Sequence, residues 1–505
     1  MDFTMIETGW WSILPPIIAI ALALITKEVY SSLFIGIVSG MLIYSFAGNG
    51  TIFSAAAMTF DMMSSKIADN AYMIIFLALL WAVVSLVSKS GGSQAYGRWV
   101  EKHLKSKRAA AFATSFLGIL IFIDDGFNCL TVGTVMRPIT DRLRISREKL
   151  AYIIDATAAS VCIIAPVSSW AVAVASEVSD TNGFHVFLST IPYNFYALMT
   201  ILMVFFISFT GRDFGPMKKA ELEAAVGSAK GTDVVTDKNS KGHVIDLVLP
   251  IAVLIVCAIL GMAYVGGFFE GVSFSEAIGY NPTAGLSLGA FAGLITAFVL
   301  YIPRKLMKPK EFIECIVSGI GNIVPPMLIL ILSWSLGGVC RQLIGTGVFI
   351  SGFVSTSNLP LGFLPFLIFI IAALMSFSMG TSWGTFGMLI PIITMICEPA
   401  GASAYLIPAL GATLAGSVYG DHCSPISDTT ILASTGADCR HISHVETQLP
   451  YATLVAAVCA IGYLIAGFTK TPWISIIIEA VILIGAIMIL SKQNVKEAAN
   501  GNQSS

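Results

Sequence analysis

Long apolar runs separated by short polar stretches dominate the chain. Nine of these runs have about the length that an α-helix needs to cross a lipid bilayer. They lie near 11–26, 30–47, 71–88, 188–209, 246–265, 284–301, 323–344, 449–468 and 473–490. The pattern therefore predicts an all-α polytopic membrane protein.

Four further apolar segments are interrupted in the middle by Gly, Pro or Asp, namely 109–136, 150–175, 362–397 and 403–435. Irregular backbone at membrane depth is tolerated only where it is buried in protein or lines a cavity. We therefore expect the functional site at these interruptions.

Composition supports a membrane protein. Of the 505 residues 56% are hydrophobic and only 11% are charged, and the mean hydropathy is +0.83. Soluble domains usually carry about 25% charged residues. This composition excludes a soluble enzyme, a disordered scaffold and a nucleic-acid-binding protein. The net charge of −2 indicates nothing about partners.

The distribution of Lys and Arg predicts the orientation. Basic residues concentrate in 89–108, 137–149, 210–245 and 302–314, whereas 176–187, 266–283 and 345–361 contain none. Because cytoplasmic loops carry the excess of Lys and Arg, we place the basic loops in the cytoplasm. The N-terminus is then outside and the C-terminus inside, in a plasma membrane of bacterial type.

Two basic loops on one side constrain the segment between them. Residues 109–136 would form roughly 42 Å of helix, too much for one crossing and enough for two half-crossings. The sequence therefore predicts a re-entrant hairpin with its tip at 124–126. Continuing this topology predicts a second hairpin over 362–397, with its tip at 380–384.

The two halves of the chain repeat each other. Six residue pairs recur 253 positions apart: Gly36 and Gly289, Gly40 and Gly293, Trp81 and Trp334, Gly92 and Gly345, Pro138 and Pro391, Tyr152 and Tyr405. The stretch 165–169 matches 424–428 at an offset of 259. Each unit has five predicted crossings and one hairpin, and an odd number of crossings inverts the second unit, as in many secondary transporters.

This repeat divides the chain into four parts. We predict a first transmembrane repeat over 1–209, a cytoplasmic linker over 210–245 and a second transmembrane repeat over 246–468. One extra helix and a cytoplasmic tail follow over 469–505.

Acids, hydroxyls and one amide cluster at the two tips and the two breaks. Such oxygen donors suit a small hard cation such as Na⁺, and helix N-termini at the same points favour a carboxylate. The predicted ion or substrate ligands are Asp124, Asp125, Asn128, Thr131, Ser168, Ser169, Thr381, Ser382, Thr385, Asp421, Ser424, Ser427, Asp428 and Thr429.

The interruptions resemble the NhaC family of sodium/proton antiporters. The resemblance is carried by Gly-Asp-His-Cys-Ser-Pro-Ile-Ser-Asp-Thr-Thr at 420–430, Gly-Thr-Ser-Trp-Gly-Thr at 380–385 and Asp-Asp-x-Phe-Asn at 124–128, and it extends over roughly 10–470. It implies an ion-transporter fold with paired hairpins and sodium-coupled transport. Some relatives exchange malate and lactate, and others transport amino acids.

Each acid also has a purely structural explanation. Asp124 or Asp125 would cap the second helix of the hairpin, and Asp421 and Asp428 would satisfy backbone N–H groups freed at the break. Acids within a membrane are costly and favour a functional role. The candidates for proton coupling are Asp124, Asp125, Asp155, Asp421 and Asp428.

These features predict a sodium-coupled secondary transporter, with Na⁺/H⁺ antiport as the first interpretation. The alternative is Na⁺-coupled transport of an amino acid or small organic acid. We expect Na⁺ as the coupling ion at these acids and hydroxyls, no other cofactor and no enzymatic activity. No zinc site is expected, although Cys439, His441 and His444 have a metal-like spacing. The expected partners are Na⁺, H⁺, membrane lipid and a second copy in a homodimer, and not nucleic acid.

Overall fold

A computed structural model describes residues 4–92, 94–96, 98, 104, 106–178, 183–226, 242–349, 352, 360–397 and 402–501. Within these ranges the chain forms helices and turns and no β-strand. In the first half the helices are α1 Leu14–Thr26, α2 Val29–Ala47, α3 Ile52–Asp69, α4 Ala71–Lys89, α5 Lys107–Leu120, α6 Asp125–Arg142, α7 Arg147–Cys162, α8 Ser169–Glu177, α9 Gly183–Thr190, α10 Phe195–Thr210 and α11 Gly215–Val226.

The second half of the described chain is helical in the same way. Its helices are α12 Val244–Val265, α13 Phe274–Tyr280, α14 Pro282–Tyr301, α15 Pro309–Gly338, α16 Leu364–Met379, α17 Ser382–Cys397, α18 Leu406–Cys423, α19 Asp428–Ala437, α20 His441–Thr469 and α21 Pro472–Gly501. The predicted all-α polytopic class is confirmed.

Nine helical stretches in the described part of the chain are long and apolar enough to cross a membrane. They are Val29–Ala47, Ala71–Lys89, Phe195–Val226, Val244–Val265, Pro282–Tyr301, Pro309–Leu343, Leu361–Met379, His441–Thr469 and Pro472–Lys492. Nine apolar runs were also predicted from the sequence, but one predicted run is absent from these nine helices and another helix takes its place. The helix near 11–26 falls below this length, and the first limb of the second hairpin reaches it.

The structure adds one helix that the apolar pattern does not predict and moves the start of another. Residues 52–69 form α3, although their Ser, Thr, Asp and Lys side chains hide them from an apolar pattern. A capping box between Thr51 and Ser54 starts this helix. The run near 323–344 belongs to α15, which already begins at Pro309 because the basic and polar residues before 323 continue the same helix.

The first predicted hairpin is present as two helices, α5 and α6, that contact each other. The chain bends between them at 121–124. Lys107, the first residue of α5, donates a hydrogen bond of 2.5 Å to the carbonyl oxygen of Arg144, two residues past the end of α6. The two ends of the segment therefore meet, as a hairpin requires.

The second hairpin consists of α16 and α17, which also contact each other. It turns at Gly380, whose φ of +66° lies in the left-handed region that favours glycine. Both predicted broken helices are broken as well. The first gap separates α7 from α8 at 163–168, and the second separates α18 from α19 at 424–427.

Part of the predicted linker 210–245 forms α11, and its residues 227–241 lie outside the described chain. Parts of the loops 89–108, 176–187 and 345–361 and the last four residues of the predicted tail also lie outside it.

Candidate functional site

A cavity of about 460 Å³ lies where the two hairpin tips meet the second break. Five predicted ligands from three segments line it. They are two acids of the first tip, one hydroxyl residue of the second tip, and an acid and a hydroxyl residue just after the second break. These are Asp124, Asp125, Thr381, Asp428 and Thr429. The cavity therefore draws carboxylates from both halves of the chain.

The first tip is held by Asp124, which is the N-cap of α6. Its Oδ1 accepts a hydrogen bond of 2.9 Å from the backbone N–H of Phe127. Its Oδ2 is buried and has no partner among the described residues. Asp125 follows in the first turn, and its Oδ1 accepts from the N–H of Gly126 at 3.0 Å. Capping thus accounts for one oxygen of Asp124 and leaves the other available to a ligand.

Asn128 braces the same tip from inside. Its side-chain amide donates to the carbonyl oxygens of Gly118 at 2.6 Å and Ile121 at 2.9 Å, which the bend frees from helical bonding. Its Oδ1 is buried and has no partner in the described chain. Asn128 and the buried Thr131 lie in α6 and are not among the residues that line the cavity.

Helices α6 and α19 pack side by side and both begin at the cavity. The contact is close at Gly133, where a Cβ would lie 2.6 Å from the backbone of Gly436. Farther from the cavity, Arg137 of α6 forms an ion pair of 3.6 Å with Asp438, the residue that follows α19. The helices are therefore parallel. Their two positive N-terminal dipoles favour negative charge at the cavity.

The second tip is joined to the second break by Asp421. Ser382 donates to Oδ2 of Asp421 through its backbone N–H at 3.2 Å and through its hydroxyl at 2.7 Å. Oδ1 of Asp421 is buried without a partner among the described residues. The hydroxyl of Thr385 donates to the carbonyl oxygen of Thr381 at 2.9 Å. Asp421, Ser382 and Thr385 all lie outside the cavity lining.

In the second break, Ser424 and Ser427 have structural partners. Ser424 donates to the carbonyl oxygen of Phe377 in α16 at 2.8 Å, and Ser427 is the N-cap of α19. Asp428 follows Ser427, and its Oδ1 accepts from the N–H of Thr429 at 2.9 Å. Its side chain is exposed to the cavity, unlike the buried acids around it.

The first break does not reach the cavity. Ser168 is the N-cap of α8, and its hydroxyl donates to the carbonyl oxygen of Cys162 at 2.8 Å. Ser169 donates through its N–H to the carbonyl oxygen of Ile123 at 3.1 Å, which fixes the first tip to the first break. Both serines are fully buried. The sequence predicts that the first tip and first break form one site and that the second tip and second break form the other. The structure joins the first break to the first tip, and the described residues that line this cavity include none from the first break.

Asp155 lies next to the site, in α7. Its Oδ2 accepts from Thr430 at 3.0 Å and from Gln448 at 2.9 Å, and His444 Nε2 lies 3.8 Å away. Its Oδ1 is buried without a partner in the described chain. Since Thr430 directly follows Thr429, one turn of α19 connects Asp155 to the cavity.

Several lining residues were not predicted as site residues. Lys27 and Glu28 join α1 to α2, and Glu28 caps α2 by accepting from Tyr30 and Ser31. Trp81 is paired with Trp334 in the sequence repeat, and the sequence does not predict it as a ligand. The remaining unpredicted lining comes mainly from the middle of α15 and from the tip of the second hairpin with the residue before it: Asn322, Pro325, Pro326, Ile329, Met379 and Trp383. The Pro-Pro pair inside an apolar run was the one available sequence signal.

The cavity presents oxygen donors without a preformed metal cage. Among the described residues no three acid, His or Cys side chains form a group that could hold a metal ion. A small cation here would need hydroxyl, carbonyl or water oxygens in addition to the carboxylates, as hard cations commonly use.

Comparison with known proteins identifies the family. Residues 170–468 match the Na⁺/H⁺ antiporter family. An uncharacterized protein of Haemophilus influenzae is 36% identical over 511 residues, covering 98% of both chains. The malate-2H⁺/Na⁺-lactate antiporter of Bacillus subtilis is 33% identical over 36% of this chain and 38% of its own. The arginine/ornithine antiporter of Halobacterium salinarum is 34% identical over 30% of each.

A solved structure shares the fold. The YdaH transporter of Alcanivorax borkumensis superposes with a TM-score of 0.54 at 11% identity, covering 83% of this chain and 90% of that one. The family match and the long apolar helices confirm the resemblance on which the sequence interpretation rested. The chain is an integral membrane transporter that belongs to the Na⁺/H⁺ antiporter family.

Proposed function

We propose that this chain exchanges Na⁺ for H⁺ at the cavity between the two hairpin tips. The observation that carries the proposal is the meeting of Asp124, Asp125 and Asp428 from opposite halves of the chain in one cavity. A carboxylate that holds either Na⁺ or H⁺, but not both together, couples the two ion gradients. The two helix N-termini stabilise the ionised form that Na⁺ requires.

The surrounding groups fit the two states of such an exchange. With Na⁺ bound, the partnerless Oδ2 of Asp124, Asp428 and the hydroxyl of Thr381 supply oxygen ligands. With H⁺ bound, a neutral carboxyl avoids the cost of an unpaired charge at membrane depth. The backbone cap on Oδ1 of Asp124 holds the tip in place in both states.

The test uses the purified full chain in proteoliposomes with a trapped pH indicator. An inward Na⁺ gradient should make the lumen alkaline when no organic solute is present. The Asp428→Asn variant should not respond. A lumen pH that is indifferent to Na⁺ in the wild-type protein would exclude Na⁺/H⁺ antiport.

A second function is favoured by the walls of the same cavity. Trp81 and Trp383 provide aromatic surface, and Lys27 supplies a cation beside the acids. A volume of about 460 Å³ lies within the range of small-molecule sites. These features suit an organic acid or amino acid, and two of the relatives are named for the exchange of such solutes. Uptake of a labelled solute that requires a Na⁺ gradient would select this alternative.

We also propose that the basic loops face the cytoplasm and that the two hairpin-bearing halves are inverted repeats. Cysteines introduced at Gln94 and Arg142, on either side of the first hairpin, should both be shielded from an impermeant thiol reagent added to intact cells. Labelling is compared with that of the chain without the added cysteine. If only one position is shielded, the two loops lie on opposite sides and the inverted-repeat topology fails.

A further inference from the structure

A second cavity, of about 810 Å³, lies at the base of the first hairpin, away from the hairpin tips. Its walls come from the start of α5 and α7, the end of α10, from α11 and from α21 near Lys492. The candidate membrane spans Phe195–Val226 and Pro472–Lys492 both border it, and the latter ends there. The cavity therefore sits where the apolar part of the helix bundle gives way to its basic loops.

The cavity is strongly basic. Two acids line it against six basic side chains: Lys107, Arg108, Lys149, Arg212, Lys218 and Lys492. Both acids already have partners. Asp213 forms an ion pair of 2.6 Å with Lys149 and accepts from Tyr451 at 3.0 Å. Glu221 accepts from the N–H and the hydroxyl of Ser146 at 2.6 and 2.7 Å.

Three of the basic side chains have no anionic partner in the described part of the chain. The side chains of Arg108, Arg212 and Lys492 form no hydrogen bond or ion pair with any residue that the structure describes, and all three are exposed. Among the described residues, Lys107 and Lys218 donate hydrogen bonds to backbone carbonyl oxygens, those of Arg144 and Ser491, and not to an acid. The excess positive charge at this cavity is therefore not neutralised by the described part of the protein.

Apolar side chains also line this cavity. Ala111, Ile145, Leu222 and Ala225 lie beside the basic groups. Two arginines and a lysine match the oxygens of a phosphate, since guanidinium groups bind phosphate in a bidentate manner. The apolar side chains beside the basic groups suit the acyl glycerol attached to that phosphate. The cavity also lies where candidate membrane helices end, which is where lipid head groups are found. Basic pockets between membrane helices on the cytoplasmic side commonly bind anionic lipid head groups.

We propose that this cavity binds the phosphate head group of an anionic phospholipid. The bound lipid would connect the base of the first hairpin to the end of α10 and to α21, because Lys107 lies at that base, Arg212 follows the end of α10 and Lys492 belongs to α21. The inference does not depend on which solute the transport site carries.

Thermal unfolding of the detergent-purified full chain tests the proposal. Adding phosphatidylglycerol to the micelles should raise Tm by about 3 °C or more at saturation, whereas phosphatidylcholine should not. Inorganic phosphate at millimolar concentration forms a separate arm. If free phosphate alone gives the same rise, or if both lipids act alike, the lipid site is refuted.

The double variant Arg108→Gln/Arg212→Gln should bind phosphatidylglycerol about 30-fold more weakly, as expected for the loss of two cations near a phosphate. Both side chains are exposed, so its Tm in phosphatidylcholine should match that of the wild-type protein. The matched control is Lys219→Gln/Lys310→Gln, which removes two exposed lysines outside the cavity. Equal lipid binding by the two double variants would overturn the assignment of this cavity.

Discussion

The first and second breaks have matching sequences and different chemistry. At the constant offset, Ser168 corresponds to Ser427, and each serine is the N-cap of the half-helix that follows. The next residue differs. Ser169 is fully buried against the carbonyl oxygen of Ile123, whereas Asp428 is exposed to the site cavity. The two breaks share a backbone role, and only the second supplies a carboxylate.

The hairpin tips also differ in their acids, but here the first half supplies them. The first tip carries Asp124 and Asp125, whereas the second tip has no acid and lines the cavity with Gly380, Thr381 and Trp383. Each half therefore contributes acids at a different element, the first at its tip and the second at its break. Two segments with matching sequences can therefore begin helices in the same way while only one of them brings a carboxylate to the cavity.

The largest loss of stability is expected when an acid is placed in the first break. Ser169→Asp puts a charge at a fully buried position whose neighbour is a carbonyl oxygen. We expect a loss of about 3–5 kcal/mol in stability, because an uncompensated buried charge is strongly destabilising. The yield of monodisperse protein in fluorescence-detected gel filtration should collapse.

Two variants provide the controls for that experiment. Ser169→Ala removes the hydroxyl without adding charge and should remain folded. The reverse change, Asp428→Ser, should also remain folded because Asp428 is exposed and its backbone partner is local. A stable Ser169→Asp protein would mean that the first break has room for a charge.

Removing the acid from the second break should have the next largest effect. Asp428→Asn retains the hydrogen bond to the N–H of Thr429 through the amide oxygen and loses the charge. We expect sodium-dependent transport to fall about 100-fold, equivalent to about 2.7 kcal/mol, with Tm unchanged. Asp61→Asn, at an exposed acid of α3 outside the cavity, is the matched control. Wild-type sodium dependence in Asp428→Asn would leave local capping as the role of this acid.

The positions of the tips and breaks could be predicted because Gly, Pro and Asp are local signals that end helices. The repeat offset added the correspondence between Ser168 and Ser427. Sequence could not separate a hydroxyl that stabilises a helix end from one that faces the cavity. Ser168, Ser169 and Ser427 are predicted as ligands, and none of the three lines the cavity. Lys27 and Asn322 reach the site only through packing between distant helices, and no local pattern reports that packing.

Replacing each of the two adjacent acids of the first tip should affect the pH dependence of transport differently. Asp124 caps α6, and the amide oxygen of Asp124→Asn can still accept the capping hydrogen bond, so transport by this variant should keep the wild-type pH profile. Asp124→Ala removes the cap and should lower the free energy of unfolding by about 1 kcal/mol. Within the described chain the side chain of Asp125 accepts a hydrogen bond from the N–H of the next residue, Gly126, and from no other group. We expect Asp125→Asn to lose most of the pH dependence of sodium-driven transport in proteoliposomes. Equal loss in both Asn variants would indicate a proton shared by the pair.

The smallest expected effect tests what the two breaks have in common. Ser168→Ala and Ser427→Ala each remove an N-cap, so each should lower stability by about 1 kcal/mol. Ser427 also contacts the hydroxyl of Thr429 at 3.0 Å, which lines the cavity, whereas Ser168 contacts only backbone. Only Ser427→Ala should therefore change the Na⁺ concentration for half-maximal transport, while both should shift Tm alike. If Ser168→Ala changed the Na⁺ response as well, the first break would have to communicate with the site, and its role would extend beyond that of a scaffold.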